Sequence, residues 1–177
     1  MSLSHAARNR VRQRANYACE YCGVSEVDSG GMLTIDHFQP KSKGGTDALS
    51  NLVYCCNRCN QFKQNYWPTS AKDPYLYNPR QSDETEHFLE MDNGHLFPLT
   101  SVGAFTIKRL RLNRNPLVLY RQQKKEQLSG QRLLIQQQEL IKTLEQLNSQ
   151  LVAELEEQQI LLEEQKRLLN LLLRDDG

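Results

Sequence analysis

The residues 53–60 read VYCCNRCN, and the chain holds five cysteines in all: Cys19, Cys22, Cys55, Cys56 and Cys59. The odd count argues against a closed disulfide framework, and the spacing argues for metal. Cys19-x-x-Cys22 and Cys56-x-x-Cys59 are two C-x2-C turns, and each places two thiolates on one ion. Four thiolates complete a closed tetrahedral zinc site. Such a site is structural, because it leaves no open coordination position. It also fixes a segment too poor in apolar residues to fix itself. Cys55 is then the spare thiol. On a strand NLVYC it alternates to the side opposite Cys56, which predicts a reduced apolar filler.

A second constellation lies between and beside the two cysteine pairs. Asp36-His37 precedes a loop, Asn51 opens the segment NLV, Asn60 follows the last zinc cysteine directly, and Lys63 comes one helical turn later. Taken singly these are ordinary residues. Asp-His pairs are common, a lone His is usually structural, and an Asn before a strand is usually a turn residue. The bracketing by the cysteine pairs makes the set specific. His5, His87 and His95 have no such partners.

The stretch DHFQPKSKGGTDALSNLVYCCNRCNQFK resembles the core of an HNH endonuclease, of the ββα-metal superfamily. The resemblance covers residues 15–65, in the H-N-N form of the motif: His37, Asn51 and Asn60. The later segment YNPR…HF…GHLFPLTSVGAFTIKRLRLNRNPLV is similar to the tail that often follows this core in bacterial members. The resemblance implies hydrolysis of DNA phosphodiester bonds. That reaction needs a deprotonated water and stabilisation of the charge on the phosphoryl group. His37 is the candidate general base, since imidazole titrates near neutral pH. The resemblance implies that the Asn51 carbonyl holds one His37 ring nitrogen. Asp36 and Asn60 are hard oxygen ligands for one divalent ion, and Mg²⁺ suits such a site. Gln64 stands where many relatives carry a further His, which leaves the choice of metal open. Lys63, and Lys41 and Lys43 in the loop, are candidate phosphate contacts, as are Arg8 and Arg12 ahead of the first cysteine pair. The alternative is a non-catalytic, zinc-containing nucleic-acid-binding module clustered by a coiled coil. Mere binding, however, needs none of Asp36, His37, Asn51 and Asn60.

Several elements must position these residues. Residues 4–16 read as a short helix capped by Ser4. Residues 33–38 and 51–55 have strand composition, with a Pro-, Gly- and Ser-containing loop between them. Residues 57–65 form a short helix that stops before Pro68. HFLEMDNGHLF reads as a hairpin around Asn93-Gly94, and SVGAFTIKRLRLNRN returns to helical spacing. The expected fold is α+β: a small ββα-metal finger with a zinc knuckle, then a long α-helical coiled-coil extension. Residues 1–116 form the nuclease domain and 117–177 the extension.

In that extension Gln, Glu, Leu and Lys dominate. With position a at Leu134, the a column is Leu134, Ile141, Asn148, Leu155, Leu162 and Leu169. Column g adds Leu133, Leu140, Leu147, Leu161 and Leu168, and column d is weaker (Gln137, Leu144, Leu151, Gln158, Gln165, Leu172). This is a coiled-coil pattern. A single Asn at a favours a defined register, so a homo-oligomer, in the first place a dimer, is expected through residues 130–173.

Charge divides the chain in the same way. Residues 1–130 hold 17 Lys and Arg against 12 Asp and Glu, and residues 131–177 hold five against nine. The front part suits a polyanion such as DNA. Mean hydropathy is −0.66. No apolar run approaches the roughly 18 residues of a membrane span, and MSLSHAARNRVRQRA lacks the apolar stretch of a signal peptide. A soluble cytoplasmic protein with no membrane partner is expected.

Overall fold

A computed structural model of the chain describes residues 3–175, with side chains through residue 170. It forms two compact units, residues 1–124 and 125–177.

The first unit begins with helix α1 (His5–Arg14), whose N-cap Ser4 accepts from the Ala7 amide. One turn of helix, α2 (Glu26–Ser29), follows the first cysteine pair and opens on a capping box between Ser25 and Asp28. Strands β1 (Thr34–His37) and β2 (Leu52–Cys55) form an antiparallel pair. In its register Asp36 lies opposite Val53 and His37 opposite Leu52. Helix α3 (Asn57–Lys63) leaves β2 through Cys56, whose Sγ accepts from the Cys59 amide as its N-cap. Its last helical residue is Lys63, short of residue 65, because Gln64 turns to φ +56°. Strands β3 (Phe88–Glu90) and β4 (Leu96–Pro98) form the expected second hairpin, and helix α4 (Ser101–Leu110) follows.

β2 is buried on both faces, as a period of two residues demands of a strand with cover on each side. Leu52 and Tyr54 pack with Val11 of α1, while Val53 and Cys55 join Cys19, Tyr77, Leu110 and Leu117. Cys55 is thus an apolar filler. Burial pushes its thiol pKa up, so it stays neutral. The junction with α1 is further tied by ions. Arg12 donates from Nε and Nη2 to the two oxygens of Glu26, both at 2.5 Å. Arg14 donates to the carbonyls of Leu49 and Leu52, at 2.8 and 2.6 Å.

Helix α5 (Asn115–Asp175) starts within the first unit. Leu117, Val118 and Arg121 are buried there, so this unit runs past residue 116 to Lys124. Arg121 donates to the carbonyls of Gly94 and Leu112, tying the helix start to the second hairpin. From Lys125 the helix forms the second unit. Its apolar side chains, among them Leu134, Ile141, Leu147 and Leu155, are half or more exposed. Positions 171–173 of the expected coil, with Leu172, lie outside the described side chains. No helix of the described residues is long and apolar enough to cross a membrane.

Candidate metal and catalytic centre

The four sulfurs of Cys19, Cys22, Cys56 and Cys59 lie within 4.8 Å of one another, and all four residues are buried. Four thiolates about 2.3 Å from a central zinc stand about 3.8 Å apart along each edge of the tetrahedron. The Cys22 and Cys56 sulfurs are 3.8 Å apart. The cluster fits zinc, and Cys55 is outside it. Thiol donors from Cys19, Cys22 and Cys59 hold the Cys56 thiol low, while the same contacts push the Cys19 and Cys59 thiols up, so the four share protons unequally when no ion is bound. Gly23, at φ +74°, closes the first turn after Cys22.

The same helix that begins on the cluster carries the second site. Cys56, Cys59, Asn60 and Lys63 are spaced three, four and seven apart, one face of a helix. That face looks onto the end of β1. Lys63 is fully buried. Its Nζ lies 2.8 Å from Asp36 Oδ2 and donates to the His37 carbonyl at 2.9 Å. Arg109 of α4 donates to the Lys63 carbonyl at 3.1 Å and lies over the Tyr66 ring. β1 and α3 are therefore locked together around one ammonium, and Arg109 ties α4 to the end of α3. Lys63, expected to contact a phosphate, is instead the internal counter-ion of Asp36.

Asn51 differs from its expected role as well. Its Oδ1 accepts from the Gln39 amide at 2.8 Å, and its Nδ2 donates to the carbonyls of Gln39 and Thr46. It braces the loop backbone and does not touch the His37 ring. Gly45 permits this, because a Cβ there would lie 1.8 Å from the Gln39 carbonyl oxygen and 2.9 Å from Asn51 Nδ2.

The His37 ring is held by Asp47, at 2.7 Å between Nε2 and Oδ1. Asp47 Oδ2 accepts from Lys41 Nζ at 2.8 Å. Lys41 first, then His37, hold the Asp47 carboxyl below its ordinary range. Lys41 is thus partly committed, while Lys43 and Arg8 are exposed. Arg12, expected on a phosphate, spends its donors on Glu26. Asp47 was legible: it is the one acid between His37 and Asn51.

The donor set at the end of β1 suits a hard cation. Asp36 Oδ2 is buried 2.8 Å from Lys63 Nζ and lacks hydrogen-bond geometry to any described group, a buried carboxylate oxygen with unused acceptor capacity. The Asn60 side chain sits one turn from Lys63 on the same face. Oxygen donors of this kind fit Mg²⁺ or a similar ion.

Residues 19–65 match the family model described as HNH endonuclease. Among curated proteins, the CRISPR-associated endonuclease Cas9 of Corynebacterium diphtheriae is 43% identical over 54 residues, 30% of this chain. The chain spans 5% of the length of that relative. No solved structure matches the chain. Over residues 19–65, then, the chain carries the signature of the HNH endonuclease family, set on a β-hairpin, a short helix and a four-cysteine cluster.

Proposed function

We propose that the chain is a metal-dependent endonuclease that hydrolyses DNA phosphodiester bonds at the end of β1. Zinc in the four-cysteine cluster holds the fold, and the reaction takes place beside it. The observation that carries the reading is the placement of His37. Its Nε2 is fixed by Asp47 at 2.7 Å, while its side chain keeps 20% of its surface exposed. Nδ1, which makes no hydrogen bond to a described residue, is left to accept a proton from water.

The chain's own groups divide the remaining work. Asp36 and Asn60 would hold the divalent ion, which when bound supplies positive charge to the phosphoryl oxygens. Lys63 fixes the Asp36 carboxylate and the His37 carbonyl, so both halves of the site share one anchor. Asn51 fixes the loop that carries Asp47. Lys43 and Arg8 are exposed cations suited to flanking phosphates. The second unit serves assembly: residues 130–173 join copies of the chain through the apolar stripe, a dimer in the first place. The protein acts in the cytoplasm on this reading.

The test is incubation of plasmid DNA with the full chain and Mg²⁺, beside the His37→Ala variant. Nicking or linearisation by the wild type is expected. The variant should lose about 10²–10⁴-fold in rate with unchanged zinc content. DNA that is bound and shifted but never cut would favour the non-catalytic binding module. Equal cleavage by the variant would remove His37 from the reaction.

A further inference from the structure

α3 presents a second face. Arg58 and Phe62 leave the helix away from the side that carries Asn60 and Lys63. There they border an open groove of about 680 Å³. Met32, Leu33, Leu117 and Tyr120 are among its apolar lining residues, and Arg114 lines it as well. Met32 is 75% exposed.

Some arginines of this unit are held by glutamates and others, Arg109 among them, are not. Arg12, Arg14 and Arg80 each lie against a glutamate. Arg58, Arg111 and Arg114 pair with no carboxylate among the described residues. Arg111 and Arg114 lie over the Phe62 ring, at 4.8 and 5.6 Å from its centre. The one acid of the lining, Asp28, is already taken by Ser25 and by the Tyr120 hydroxyl at 2.9 Å. Those bonds hold its carboxyl low. Asp28 therefore stays ionised and offsets one cation, and the groove combines an aromatic and apolar floor with a net excess of guanidinium groups. Single-stranded nucleic acid asks for that combination: an apolar or aromatic surface for a base and cations for the backbone.

We propose that this groove is a second nucleic-acid contact, which receives an unstacked base on its Met32–Phe62–Tyr120 floor while Arg58 and Arg114 meet the neighbouring phosphates. For its substrate class it rests on the nuclease reading, but it concerns a face that the hydrolysis itself does not use. The groove and the site at Asn60 then lie on opposite faces of one short helix.

The experiment uses the full chain carrying His37→Ala, without added divalent ion, so that binding is read without cleavage. A single-stranded oligonucleotide containing 5-iodouracil is titrated at several salt concentrations and then photo-crosslinked. Crosslinks at Met32, Phe62 or Tyr120 are expected. Adding Arg58→Ala should weaken binding about three- to tenfold and reduce the slope of log K against log salt by about 0.7, one phosphate contact. Arg58→Lys should restore the slope. Unchanged affinity and slope in Arg58→Ala, with crosslinks confined to other residues, would overturn the proposal. So would a change of oligomeric mass in Arg58→Ala with DNA affinity intact, since the groove would then be a protein interface. The two readings fail separately. Wild-type protein that crosslinks in the groove but never cuts loses the nuclease reading alone. Wild-type protein that cuts while Arg58→Ala binds normally loses the groove alone.

Discussion

Asp47 Oδ1 lies 2.7 Å from His37 Nε2, and its other oxygen accepts from Lys41 at 2.8 Å. The residue that orients the candidate base thus comes from the loop, while Asn51 holds that loop in place. An oriented imidazole offers one nitrogen to water and keeps the other engaged. Asp47→Ala is expected to lower the single-turnover cleavage rate about 10–100-fold, the usual size for a partner one step behind the reacting group. Zinc content and melting temperature should not change, because Asp47 is an exposed loop residue. A variant that cuts at the wild-type rate would show that the His37 ring needs no such partner.

Lys63 should matter for stability as much as for activity. Its ammonium is fully buried against Asp36. Removing one member of a buried ion pair leaves the other charge uncompensated, a loss of about 3–5 kcal/mol. Lys63→Ala is expected to lower the unfolding free energy by that amount, read from denaturant titration as a lower midpoint at unchanged slope. The double variant Lys63→Met with Asp36→Asn should recover part of it while remaining inactive. A Lys63→Ala protein as stable as the wild type would mean that the ammonium is not needed to hold β1 on α3.

Lys63 also shows what the sequence revealed and what it hid. The cysteine spacing was enough to find the cluster, because C-x2-C turns allow few other uses. The strand, helix and hairpin segments followed from composition and turn residues. The role of Lys63 needed one more step. On a helix it shares a face with Cys56, Cys59 and Asn60, and a face that begins on a buried cluster is an inward face. Charge alone suggested a phosphate contact; periodicity pointed inward. Asn51 was hidden for a different reason. Its three bonds go to loop backbone, and a loop's path is set by backbone geometry that residue types do not print. Arg12 was hidden likewise, since Glu26 meets it only after the first cysteine turn folds the chain back.

The Arg12–Glu26 pair sets a pH dependence. Arg12 holds the Glu26 carboxyl below its ordinary range. A carboxyl depressed in the folded state stabilises at pH above its unfolded value and loses that contribution as pH falls through the folded value. Little change in melting temperature is expected from pH 7 to about 5, with a fall below about 4. Glu26→Gln should start lower at neutral pH and fall less over the acid range. Parallel curves for the two proteins would show that this pair does not contribute to acid sensitivity.

Loss of one cluster ligand should act on the whole first unit. Cys59 is buried at the start of α3, so Cys59→Ser removes a zinc ligand and loosens the helix that carries Asn60 and Lys63. The variant is expected to purify without zinc and to melt without a cooperative transition. Cys55→Ser, next to the ligand Cys56 in sequence but outside the cluster, should keep its zinc and lose only part of its stability. A Cys59→Ser protein with full zinc content would contradict a four-thiolate site.

The second unit makes a separate prediction. An isolated helix gains little from its own propensity in water, and an apolar stripe needs a partner. Leu147 and Leu151 lie on that stripe, at 50% and 57% exposed. The wild-type chain is therefore expected to sediment as a multiple of 20.5 kDa, in the first place a dimer. Leu147→Glu with Leu151→Glu should sediment at the single-chain mass and lose much of its helical circular dichroism. Zinc content should stay the same, because the cluster lies wholly in the first unit. Asn148→Leu should raise the melting temperature of the assembly while blurring its oligomer number, the known effect of removing a single buried polar a residue. A double-Glu variant with unchanged mass would place the contact between copies elsewhere, and cleavage of both strands by a chain that never self-associates would free the nuclease from its coil.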